Sequence, residues 1–173
     1  MESHVKNPRR VERPAGAYVQ ERKLMKNIIM FLLLLLTACQ SATSVPTISA
    51  ETGSGFTLAI GQSASIANTG LTVQLGNILS DNRCPSDVEC VESGAVTLTI
   101  SVQKDSASPS EFTLETFTDN NGLAPTDHFE GMTGSVEYEG YLVQVKSILP
   151  YPAQSFGEIK DTDYRVSFLV TEK

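Results

Sequence analysis

Two cysteines stand six positions apart in Asp81-Asn82-Arg83-Cys84-Pro85-Ser86-Asp87-Val88-Glu89-Cys90, and no other cysteine follows Cys39. Two thiols without a nearby His or a second Cys pair make a poor zinc set, whereas an even pair in an exported chain reads as a disulfide. Closing so short a loop contributes about 2 kcal/mol in the chain-entropy account. Asp81, Arg83, Asp87 and Glu89 surround the pair. Carried on a loop that a rigid scaffold holds, these four form a possible binding loop. The competing reading is a fixed loop in which Arg83 bonds backbone carbonyls or a neighbouring carboxylate.

Other chemistries find little to work with. His128 is the one histidine after Cys39, and no thiol remains once Cys84 and Cys90 pair, so nucleophilic triads are nearly excluded. Gly61-Gln62-Ser63-Ala64-Ser65 stops one residue short of the Gly-x-Ser-x-Gly elbow and falls between strand patterns, so it reads as a hairpin turn. Asp119-Asn120-Asn121-Gly122 offers oxygens that suit calcium but lacks the spacing and late Glu of an EF-hand loop, and reads as a turn. No metal or cofactor is expected. Glycoside hydrolysis needs only two carboxyls about 5 to 10 Å apart, which leaves a carboxylate-dependent hydrolase as the enzymatic alternative.

Charge narrows the partners. Seven of the 13 Lys+Arg precede Cys39, leaving six basic against seventeen acidic residues after it, a net of −11. Nucleic acid is not an expected partner, because binding it depends on Lys and Arg neutralising phosphates.

The segment before Cys39 has its own logic. Ile28 to Ala38 is an uncharged, mainly apolar run preceded by Arg22, Lys23 and Lys26. It is too short to span a bilayer, which takes about 20 residues, and fits the apolar core of a signal peptide. Leu36-Thr37-Ala38-Cys39 looks like the lipobox of bacterial lipoproteins, which implies diacylglycerol transfer to the Cys39 thiol and cleavage before it. Residues 1 to 24 are polar and aperiodic, and Met25-Lys26-Asn27 alone would start an ordinary signal peptide, so translation is expected to begin at Met25. Three segments are thus expected: 1 to 38 as extension and signal peptide, 39 to 55 as lipidated Cys and flexible tether, and 56 to 173 as a β domain. The tether reading rests on Ser, Thr, Ala and Gly richness without an amphipathic pattern.

Beyond residue 55 the dominant hydrophobic period is two, the signature of strands with opposed faces. Val96, Leu98, Ile100 and Val102 alternate with Thr97, Thr99, Ser101 and Gln103, and Tyr164, Val166, Phe168 and Val170 share another face. Further strands are expected over 56 to 60, 62 to 67, 71 to 79, 111 to 118 and 141 to 149, with a bulge near Gly76-Asn77 where the apolar phase falters. Turn residues separate these runs and no segment carries a helical stripe. The expectation is an all-β chain, an antiparallel sandwich or partly open barrel of about seven or eight strands.

The cysteine stretch resembles a motif of small bacterial lipoproteins: Asp-Ser-Arg-Cys-Pro, a short loop, Cys-Val-Trp-Ala-Gly, then a strand. Asp81, Arg83, Cys84, Pro85, Cys90, Val91 and Gly94 match it, while Asn82, Glu92 and Ser93 replace the Ser, Trp and Ala. A late Leu-Pro-Tyr-Pro and a closing Tyr-x-Val strand extend the likeness. The resemblance implies export, a lipid anchor and a β fold, and no mechanism. The expected role is a membrane-anchored, non-enzymatic domain on the extracytoplasmic side that binds an envelope protein or polymer or serves the envelope structurally.

Overall fold

The computed structural model describes residues 46–126, 131–153 and 159–173. Among these residues, nine strands build two sheets. The first orders β1 (Ile48–Ala50), β3 (Ser63–Ile66), β4 (Leu71–Asp81), β5 (Val96–Lys104) and β6 (Ser110–Thr116). The second orders β2 (Gly55–Ala59), β9 (Arg165–Glu172), β8 (Tyr141–Leu149) and β7 (Ser135–Tyr138). All pairings are antiparallel except β1 with β3. The architecture is a β-sandwich. Of the two expected alternatives, sandwich and partly open barrel, the two separate sheets make the sandwich, and no closed barrel forms among the described residues.

The period-two pattern becomes the core. Val96, Leu98, Ile100 and Val102 turn inward from β5, and Val166, Phe168 and Val170 do the same from β9, all essentially inaccessible to water. Phe56 faces Phe168 across β2 and β9 with ring centroids 6.0 Å apart. Residues 133 and 134 stitch the sheets together along one side. Thr133 exchanges two backbone hydrogen bonds with Glu115 of β6, while Gly134 O accepts from Val145 N of β8.

The expected bulge is present. Register between β4 and β5 shifts between Leu75 and Ile78. A Cβ on Gly76 would lie 2.3 Å from Thr99 Oγ1, and that hydroxyl accepts from Asn77 N at 2.8 Å, so close approach demands glycine here.

Three local expectations change. The segment read as a tether contains β1, which holds to β3 through the parallel register Ile48 with Ala64 to Ala50 with Ile66, so the ordered fold reaches back at least to Ile48. Strand β7 was not expected. It is short, and a two-residue turn with positive φ at Glu139 (49°) and Gly140 (81°) returns it onto β8. The Gly61-Gln62 turn joins β2 to β3, which lie in different sheets, and is therefore a corner between layers rather than a hairpin.

Candidate functional site

Strand β4 ends at Asp81, and the chain then leaves the sheet as the loop that carries both cysteines. Asn82 anchors the base of that loop, donating to Ala95 O and accepting from Gly94 N, each at 3.0 Å. A side chain on Gly94 would collide with Asn82, its Cβ lying 2.3 Å from the Asn82 oxygen. Cys84 and Cys90 form a disulfide, with Cα atoms 6.0 Å apart. Their pairing closes residues 84 to 90 into a ring above this base.

Arg83 points inward. Its side chain is fully buried and forks onto Asp81, with Nε donating to Oδ1 at 2.8 Å and Nη2 to Oδ2 at 2.5 Å. Nη1 donates to Ile148 O at 2.8 Å and Nη2 to Pro150 O at 2.9 Å, both on the second sheet's side of the sandwich. Tyr164 donates its hydroxyl to Asp81 Oδ2 at 3.0 Å. Burial disfavours the charge on Asp81, but the hydrogen bonds and positive charge of Arg83, with the Tyr164 hydroxyl, outweigh it and hold the carboxyl below its ordinary value. Burial, followed by the charge and hydrogen bond of Asp81, pushes the Tyr164 phenol upward.

The loop is also fastened from outside the ring. Tyr151 donates to Cys84 O at 2.7 Å and presents its ring 5.2 Å from the Arg83 guanidinium carbon. Ser86 N and Oγ donate to Pro152 O at 3.0 Å and Ala153 O at 3.2 Å. Together these bonds weld the disulfide loop to the chain that follows β8. Searches against protein-family models, curated proteins and solved structures find no match for the chain.

The four residues of the expected binding loop do not share a surface. Arg83 is buried and Asp81 half-buried, forming the loop's foundation, whereas Asp87 and Glu89 are exposed on the ring. Of the two readings of Arg83, the structure adopts the fixed loop, with carbonyl and carboxylate partners both present. Sequence reasoning missed Tyr151 and Tyr164 as members of the cluster. The first sits within the Leu-Pro-Tyr-Pro used above only to extend a likeness, and the second shares a face with Val166, Phe168 and Val170 and is core as well, at 5 % exposure.

Elsewhere, Asp119 Oδ1 accepts from Asn121 N at 2.9 Å and Leu123 N at 2.8 Å, and Oδ2 accepts from Asn121 Nδ2 at 3.3 Å. The Leu123 N–H contributes most to holding this carboxyl below its ordinary value. Asp119 thus closes a turn. Ser63 and Ser65 lie within β3 rather than at a strand-to-helix elbow. Among the described residues no cluster of three or more His, Cys, Asp or Glu is placed to hold a metal ion. Cys39 and His128 lie outside the described residues.

Proposed function

We propose that this chain is a lipid-anchored extracytoplasmic protein in which acylated Cys39 fixes the sandwich to a membrane and the domain works by binding an envelope protein or polymer. The observation that carries the proposal is the Cys84–Cys90 disulfide. Such bridges persist where thiols are oxidised, on the far side of the membrane that the apolar run and Leu36-Thr37-Ala38-Cys39 address. Asp81 itself is unsuited to carboxylate hydrolysis. A general acid needs a raised pKa, and the carboxyl built into the loop's foundation is lowered and clasped by Arg83.

Cys39→Ser tests the anchor. The expected outcome is loss of acylation by mass spectrometry and accumulation of unprocessed precursor. An unmodified Cys39 in wild-type protein extracted from membranes refutes it.

A further inference from the structure

Beneath the disulfide ring the described anchors face inward, yet its outer side carries apolar groups that are exposed among the described residues. Val91 is fully exposed and Val88 is 42 % exposed, three residues apart on either side of Cys90. Exposed valines scattered singly need no explanation. One on the short ring and one directly after it, where the backbone is fixed by a disulfide, the Ser86 bonds and the Tyr151 bond, present apolar contact area with little ordering left to be lost on association.

From the geometry we infer that the ring is the protein's recognition element, and that its partner is a folded protein surface presenting Lys or Arg around an apolar recess that takes Val91 and Val88. The inference rests on the binding reading above and names the partner's chemistry. Charge selects that chemistry. Residues 84 to 95 hold Asp87, Glu89 and Glu92 with no Lys or Arg, on a chain carrying −11 after Cys39, and Glu89 and Glu92 are exposed. Such a surface steers toward positive patches and is repelled by like charge. Anionic headgroups and a second copy of this acidic chain are therefore disfavoured occupants. Arg83 is buried against Asp81 and does not offset the field outside.

The test places a photoreactive benzoylphenylalanine at Val91 of the full-length chain in the cells that make it, with Thr57, exposed on the other sheet, as control site. The expected result is a protein adduct at position 91 and not at 57, whose cross-linked partner peptide lies among Lys and Arg. Its yield should fall about tenfold or more in a Glu89→Lys, Glu92→Lys background, as loss of electrostatic complementarity demands. Thiol counting on that variant checks that the ring remains closed. An adduct with lipid, an adduct with a second copy, a protein adduct indifferent to charge reversal, or no adduct above the control each overturns the inference. Fractionation of the same cells reports the anchor separately. An adduct on a chain found off the membrane keeps the loop and refutes the anchor, and an anchored chain without an adduct does the reverse.

Discussion

Exchanging one carboxylate oxygen of Asp81 for an amide isolates what the clasp contributes. Asp81→Asn leaves the Arg83 guanidinium buried with two carbonyls and no counter-charge, and breaking a buried pair from one side costs about 3–5 kcal/mol. Chemical denaturation at neutral pH should show a loss of that size; a loss under about 1 kcal/mol would class the pair with surface ion pairs. Acid exposes the same interaction. Because folding lowers the Asp81 pKa, the unfolded chain takes up the proton first, so the stabilisation is complete above the unfolded value near 3.9 and drains away as pH falls through the lower folded value. Melting temperature should fall more steeply with pH below about 4 in the wild type than in Asp81→Asn; parallel slopes would refute the assignment. Sequence reading could single out Asp81 and Arg83 but not which way they face. The deciding partners are the carbonyls of Ile148 and Pro150 and the Tyr164 hydroxyl, 65, 67 and 83 residues away, and a carbonyl carries no side-chain signature.

At the scale of elements, the disulfide ring and the glycine beside it have separable effects. Cys84→Ala with Cys90→Ala removes a short loop closure, a loss of about 2 kcal/mol, and should lower the melting temperature by several degrees. Folding should survive, because the Arg83, Tyr151 and Ser86 bonds do not involve the sulfurs. Two reactive thiols in the denatured, non-reduced wild type would refute the bridge itself. Gly94→Ala acts on the loop's other leg. Its Cβ meets Asn82 backbone, which has no flexible end to move aside, so calorimetry should register a loss of about 1–3 kcal/mol, typical of overpacking; a neutral effect would show that the leg can shift freely. Long strands were legible because eight or nine alternating positions leave no rival reading, as in β9 and β5. Strands β1 and β7 were not, since three or four residues are too few to establish a period.

Across the whole molecule, the sequence conveyed composition better than connectivity. Alternation identifies which side chains turn inward, and nearly all of those on β4, β5, β8 and β9 do. It does not say which sheet each strand joins. That choice is made at corners such as Gly61-Gln62, where Gly61 N donates to Leu75 O and Leu75 N returns to Gln62 O, sending the chain from one layer to the other. Nor does it reveal the seam at residues 133 and 134, which is drawn entirely in backbone hydrogen bonds.

The parallel strand β1 bears on mechanics. With Cys39 held in a bilayer as proposed, any drag on the domain is delivered to Ile48, where three paired residues meet the load before the rest of the sandwich does. While β1 holds, the covalent chain from Cys39 to Ile48 can extend at most about 30 Å; once β1 peels away, the limit moves to Gly55 and becomes about 56 Å. Strand β1 would then act as a brake on leash length, releasing about 25 Å of extra reach under tension while the core stays folded. Pulling on the anchored end of a single molecule should show one small extension step of this size before global unfolding, and Ala50→Pro, placed at a residue whose backbone faces β3, removes a pairing donor and should abolish it.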